Sequence, residues 1–444
     1  MISQRKWIEK SYSRTVSQLG KNLGPVWKNT DRGFGTPIKS SSTDVLTSGA
    51  NERLRKEIYS LIENAQNMVV ICSFLISDDD LCRVIEQVAR RGVRVYILVA
   101  SETRLKQVEN EGEFEAELRD YHEKMLVRLS EFVLFRSSET FHAKIVLVDP
   151  ADSTTATGIL LTGNLTVEAF QRNEELGVHL NPTEIDEAFA YLRYAMWELA
   201  EHETVGGRFS AIKPMNELPK PKRMTSVVAT LPEAAEIRDA ALKLVQDAKL
   251  EIVVSSFGWK LDDAIVIALC AQARGGVKVK ILCRIREKSM PALLKLAEAG
   301  AEVYGYKWLH AKSIWTDAGR GMIMSANFEP RGMTQGFELG VKLDGSRAAA
   351  LESELRNWIH GARWRLFNKG TLEESDRAII AWKNGHLEPP VDIPNSKKIK
   401  LADVTVGSVD EVGIEPELRN TDRALAQELC FLWAIRAPIE SGNQ

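Results

Sequence analysis

The chain has 444 residues, 44% hydrophobic and 27% charged, which suits a globular protein of two or three domains and excludes a disordered or fibrous one. A net charge of −3 excludes a strongly basic chain that holds nucleic acid by bulk electrostatics, though not a local basic groove. Five scattered cysteines (Cys72, Cys82, Cys270, Cys283 and Cys430) form no CxxC pair and no zinc-ligand spacing, so they read as reduced thiols of a cytosolic protein.

Residues 1–50 read as a polar N-terminal arm, Ser-rich around KSSSTD, and its first twenty residues lack the apolar core of a signal peptide. A first α/β unit is expected over 51–204. VVICSFLISDDDLCRVIEQVARRGVRVYILV, from Val69, reads as a buried strand, a Ser-Phe pair, an acidic turn, a helix and a second strand. Leu81, Val84, Ile85, Val88 and Ala89 recur at helical spacing, Gly92 ends the helix, and Val93–Val99 predicts the strand. FHAKIVLVD follows at Phe141–Asp149, then LTGN at Leu161–Asn164, EELGVHL from Glu174 and a helical AYLRYAMWEL from Ala190. Residues 205–224, with three Pro and few long apolar side chains, read as a linker.

The same series then returns over 225–368. IVVSSFGWKLDDAIVIALCAQARGGVKVKILC begins at Ile252, LHAKSIWTD spans Leu309–Asp317, MSAN spans Met324–Asn327, FELGVKL begins at Phe337 and SELRNWIHGA at Ser353. Strands alternating with helices predict βαβ units, so the expected fold class is α/β, two repeats each with a mainly parallel mixed sheet flanked by helices. Residues 369–444 form a C-terminal extension read as a partner-docking segment. Its apolar LCFLWAIRAP (Leu429–Pro438) is too short to span a membrane and contains Arg436.

The repeated polar residues carry the chemistry. His142 pairs with His310, Lys144 with Lys312, Asp149 with Asp317, Asn164 with Asn327 and Glu175 with Glu338, and the Asn-to-Glu interval is 11 residues in both copies. Residues two apart on a strand share a face, so each His and Lys pair would be presented together while Ala143, Ile145 and Leu147 pack the other way. A lone His and Lys would ordinarily be a satisfied pair at a sheet edge. Five polar residues repeated in both halves are hard to explain that way, because their uncompensated burial is costly. A neutral imidazole can attack phosphorus, and a second, protonated one can donate to the leaving oxygen and then activate water. Two Lys and two Asn can stabilise the developing charge, and Glu175 or Glu338 can fix a tautomer. Asp149 and Asp317, at the strand ends, read as braces for loops or for the opposing motif. Like-charged neighbours should push the two His pKa values apart. This chemistry calls for no cofactor and no metal.

The residues resemble the phospholipase D superfamily, whose pattern is H-x-K-x4-D followed by Gly-Ser-x-Asn and a later Glu. LTGN and MSAN keep a hydroxyl at Thr162 and Ser325 but lack the leading Gly. The resemblance covers roughly residues 50–365. It implies two α/β repeats packed as a pseudo-two-fold pair around one central site, and phosphodiester cleavage through a phospho-histidine without metal, with His142 as nucleophile and His310 as general acid. The ten repeated residues are then its catalytic set. Among the branches of that family, the expectation is a cytoplasmic nuclease, an endonuclease acting on DNA or RNA in a bacterial antiviral-defence or restriction complex. Arg90, Arg91, Lys220, Lys222 and Arg223 would touch DNA delivered by a helicase or ATPase partner, without stable membrane association. The alternatives are a soluble phospholipase D acting on head groups, for which Trp259 and Trp308 could supply an apolar rim, and a catalytically silent scaffold, which predicts an eroded motif.

Overall fold

The computed structural model describes residues 24–30, 44–49, 52–110, 116–368 and 378–392, with the strand segments 6–11, 14–15 and 402–408. Cys430 and the apolar stretch 429–438 lie outside the described residues.

Each half starts with the crossover that its hydrophobic pattern predicts. In the first, Met68–Cys72 leads through the helix Asp79–Arg90 to the parallel strand Arg94–Ala100. Asp78 caps that helix by accepting from the backbone N–H groups of Asp80 and Leu81. Gly92 leaves it at φ 93°, a left-handed conformation that glycine adopts without steric cost. The second half repeats this with Glu251–Ser256, the helix Ala264–Arg274 capped by Asp263, Gly276 at φ 92° and Lys278–Arg284. A third parallel strand follows in each half, Leu134–Ser138 and Glu302–Tyr306. The remaining strands of the repeats pair antiparallel, Ile145–Val148 with Met68–Cys72 and Ser313–Thr316 with Glu251–Ser256. The result is a mixed α/β fold of two sheets flanked by helices, each sheet with three parallel strands at its heart.

Segments outside the repeats extend both sheets. Val45–Thr47 pairs with Leu176–His179, and the hairpin His202–Val205/Arg208–Ala211 pairs with Leu134–Ser138. Val26–Asn29 and Ala378–Lys383 continue the second sheet beyond Trp364–Phe367. Sequence read as arm, linker and extension therefore supplies short strands that cover sheet edges and satisfy their backbone groups.

The central core draws on both halves, with Phe141, Leu176, Leu309, Phe337 and Leu339 in one cluster. Separate clusters fill the outer side of each sheet. Glu187 ties the halves further, its carboxylate accepting from the N–H groups of Thr225, Ser226 and Val227 at 2.7–3.0 Å. Cys72, Cys82, Cys270 and Cys283 are buried free thiols. Among the described residues, no helix is long and apolar enough to cross a membrane.

Candidate active site

The two motifs stand at the entrance to their strands rather than within them. Regular pairing begins at Ile145 and Ser313, just past each Lys. The preceding backbone bonds to the other half instead. His142 N–H donates to the Phe337 carbonyl (3.1 Å), and the N–H groups of His310 and Ala311 both donate to the Glu174 carbonyl (3.0 and 2.9 Å). Parallel bridges Phe141–Phe337 and Glu174–Leu309 complete this seam. The residue after each bridge partner is the carboxylate, so the seam itself delivers Glu338 to His142 and Glu175 to His310.

The pairing is thus crossed. His142 Nδ1 lies 2.6 Å from Glu338 Oε1, and His310 Nδ1 lies 2.8 Å from Glu175 Oε1. The second oxygen of each carboxylate accepts a hydroxyl, from Ser325 on Glu338 and from Thr162 on Glu175 (2.7 Å). Each Glu is fully or almost fully buried, while the two imidazole side chains keep 24% and 16% exposure. An Nδ1–H donated to a carboxylate makes Nε2 the nitrogen that carries the lone pair.

Lys144 and Lys312 are wholly buried. Lys144 Nζ donates to the His142 carbonyl. Lys312 Nζ donates to the carbonyls of His310 (2.6 Å) and Thr162 (3.1 Å) and sits 3.0 Å from both ring nitrogens of His310. A buried aromatic edge flanks each imidazole, Phe74 at 5.0 Å from His142 and Phe257 at 4.9 Å from His310 between centroids. These two Phe, and the roles of Thr162 and Ser325, had a signal in the repeated Ser-Phe and in the hydroxyl of LTGN and MSAN. Asn164 has a buried Oδ1 without a protein partner, and Asn327 Oδ1 accepts from Gly258 N–H at 3.4 Å.

Burial lowers both imidazoles to about 4, with Glu338 and Glu175 opposing the shift. The two therefore move together, contrary to the expectation that they would separate, because each has its own carboxylate and its own lysine. Burial also lowers Lys144 to about 8 and Lys312 to about 7. Burial alone would raise Glu175 and Glu338, but His310 and Lys312 on one side and His142 and Lys144 on the other outweigh it and hold both low.

Asp149 and Asp317 stand at the far ends of the motif strands, away from the histidines. Asp149 accepts from the N–H groups of Gln66, Asn67 and Met68 (2.7–2.9 Å), and Asp317 from those of Lys249 and Glu251 (3.0 and 3.3 Å). Each braces the entry to a strand of its own half, not the opposing motif. Among the described residues, no group of three or more His, Cys, Asp or Glu side chains is placed to hold a metal ion.

Residues 58–197 and 241–360, more than half of the chain, match the family described as "Cardiolipin synthase, PLD-like domain". The chain belongs to the phospholipase D superfamily. Within that superfamily it is similar to cardiolipin synthase A of Buchnera aphidicola subsp. Schizaphis graminum, 25% identical over 353 residues, which cover 74% of this chain and 70% of that one. It is similar also to cardiolipin synthase A of Proteus mirabilis, 24% identical over 291 residues, 60% of this chain and 58% of the relative. Among solved structures, the phosphatidylserine synthase of Haemophilus influenzae Rd KW20 shares the fold, with a TM-score of 0.50 at 11% identity over 78% of this chain and 92% of that one.

These relatives overturn the nuclease expectation. The curated relatives are named as cardiolipin synthases, so the DNA substrate, the helicase or ATPase partner and the antiviral role are withdrawn. The cytoplasmic placement rested on the nuclease reading and is withdrawn with it. The geometry agrees at the residues proposed for DNA. Arg90 pairs with Glu86 and lies over Phe132, Arg91 donates to the Glu63 carbonyl, and Lys220 donates to the Pro232 carbonyl. Trp259 is buried against Phe328 and donates to the Ser256 carbonyl, so it belongs to the core and not to a rim.

Proposed function

We propose that this chain is a phospholipid-modifying phosphodiesterase of the phospholipase D type, cutting the head-group side of a phospholipid phosphodiester and passing the phosphatidyl group to an alcohol or to water. The observation that carries the reading is the crossed pair of His–Glu contacts in one site, taken with relatives named for phospholipid synthesis. In the first step Nε2 of one histidine, His142 in our reading, attacks phosphorus. A P–N bond forms, the P–O bond to the head-group alcohol breaks, and His310 gives the leaving oxygen its proton. In the second step His310 takes the proton of the incoming alcohol or water, whose oxygen forms a new P–O bond as the P–N bond breaks. The entering phosphodiester is an anion, which favours the charged form of the acid histidine. Lys144, Lys312, Asn164 and Asn327 face the equatorial oxygens in this scheme, and Glu338 and Glu175 hold the tautomers.

Purified protein incubated with phospholipid vesicles in excess EDTA, with and without added glycerol, tests the reading. Released head group, or a new phosphatidyl ester, that is lost in His142→Gln and in His310→Gln supports it. Turnover that survives both substitutions, or failure of wild-type protein to alter phosphatidylcholine or phosphatidylglycerol vesicles, would sink it.

A further inference from the structure

The two carboxylates of the site are not held alike, and the difference starts outside the repeats. Ser48 follows Val45–Thr47, a strand that pairs with Leu176–His179, so it lies opposite Glu175. Its N–H donates to the Glu175 carbonyl (3.3 Å), and its hydroxyl accepts from the Glu175 N–H (2.8 Å) and donates to the Asn173 carbonyl. Ser48 therefore grips both neighbours of Glu174, the residue whose carbonyl receives His310 and Ala311 across the seam. So held, Asn173 presents its side-chain amide to the carboxylate. Nδ2–H donates to Glu175 Oε1 at 3.3 Å, the same oxygen that faces His310 Nδ1, while Oδ1 accepts from Arg172 Nε at 3.4 Å. Glu175 thus has three side-chain donors: His310, Asn173 and Thr162. Among the described residues, Glu338 has two, His142 and Ser325. Gly336 stands where Asn173 stands, two residues before the motif Glu. A Cβ there would lie 2.8 Å from the Arg331 carbonyl oxygen, so the backbone of the second half leaves no room for a matching side chain. Thr230, which faces Glu338 in the corresponding strand, sends its hydroxyl to the Gly332 carbonyl instead (2.7 Å).

Resting on the function proposed above, we propose that Asn173, set by Ser48, is the positioning residue that breaks the symmetry of the site and gives the part of the acid to His310. A hydrogen bond to a carboxylate favours its charged form and makes it a weaker base. A carboxylate that holds Nδ1–H raises the basicity of the imidazole it holds. Glu175, sharing Oε1 with Asn173, does this less for His310 than Glu338 does for His142. A protonated His310 therefore parts with its proton more readily, and His142 is the better electron donor toward phosphorus. Burial lowers both rings together, and this bias acts within that common shift.

The test uses the full chain and a monomeric short-chain phosphatidylcholine. Turnover is stopped in alkali, where a P–N bond persists, and the masses of the peptides that contain His142 and His310 show which ring carries the phosphoryl group. In wild-type protein the label is expected on His142. Asn173→Gly copies the other half and should raise the ratio of label on His310 to label on His142 by about three- to tenfold, the range for one hydrogen bond. Ser48→Ala should move the ratio the same way, Ser48→Thr should restore it, and the Ser48→Ala/Asn173→Gly protein should match Asn173→Gly alone. Loss of packing alone would lower turnover without moving this ratio. An unchanged ratio in folded Asn173→Gly or Ser48→Ala protein overturns the proposal, as does wild-type label on His310. If wild-type protein turns over no phospholipid, the function proposed above fails, and ¹⁵N NMR titration of the two imidazoles judges Asn173 on its own. His310 should then titrate below His142 in wild type, with the gap narrowed by about half a pH unit or more in Asn173→Gly. A gap that the substitution leaves unchanged removes the role.

Discussion

His310 of the second half takes its carboxylate, Glu175, from the first, at 2.8 Å, and the reciprocal contact joins His142 to Glu338. Neither half contains a complete His–Glu pair. The halves must dock before either imidazole has a fixed tautomer, which makes the central seam a functional element as well as a core.

Glu175→Gln should show this directly. The amide can present its oxygen or its nitrogen to Nδ1, so the orientation that leaves Nε2 free is no longer enforced. We expect kcat to fall on the order of 10²–10⁴-fold with little change in thermal midpoint, and Glu338→Gln to do the same through His142. NMR of ¹⁵N-labelled histidine supplies a readout that a merely structural role would not move. The protonated Nδ1 signal expected at neutral pH should be lost for the imidazole whose partner is changed.

Lys312 gives a second prediction. It is fully buried and donates to the carbonyls of His310 and Thr162. Lys312→Met should lower kcat by about 10²–10³-fold, the usual loss for one donor to a transition-state oxyanion. Lys312→Arg should not restore it, because a planar guanidinium does not fit a space closed around a single ammonium. Recovery of wild-type kcat in the arginine variant would count against a close fit there.

The repeated residues marked the candidate site in the sequence, and the βαβ halves were legible from hydrophobic runs ending at Gly92 and Gly276. The crossed pairing was not. Glu174 and Phe337 reach across the seam by backbone hydrogen bonds, which leave no side-chain pattern to read. The short strands Val26–Asn29 and Val45–Thr47 were hidden for a similar reason, since three or four residues are too few to show a period. Substrate class was missed because both lipid and nucleic acid offer the same phosphodiester to the same histidines.

Stability should depend on pH in a defined window. Both imidazoles are lowered from 6.5 to about 4 in the folded protein. Between those values the unfolded chain binds protons that the folded chain does not, so stability falls as pH drops from 6.5 toward 4. With the partial exposure of both rings allowed for, each contributes on the order of 2 kcal/mol across that range. Glu175 and Glu338, held below 4.5, add a loss only at lower pH. Chemical unfolding midpoints at several pH values, compared with a His142→Gln/His310→Gln protein, check this. The double variant should be the flatter between pH 6.5 and 4.5, and equal slopes would mean that the histidines are not depressed.

The two motif aspartates should separate stability from chemistry. Asp149 is 2% exposed and holds three backbone N–H groups at the start of Met68–Cys72, the central strand of its sheet. Its φ of 48° adds a local strain that the three bonds offset. Asp149→Ala leaves those donors without their charged acceptor and should cost about 2–4 kcal/mol. Asp317 accepts from two N–H groups at a partly open position, and Asp317→Ala should cost about 1 kcal/mol. Neither contacts a histidine, so kcat per folded molecule should stay within about threefold of wild type at a temperature where each variant is folded. Urea midpoints measured beside kcat would decide the matter. A large loss of kcat without loss of stability would give these carboxylates a role at the phosphodiester that their position does not support.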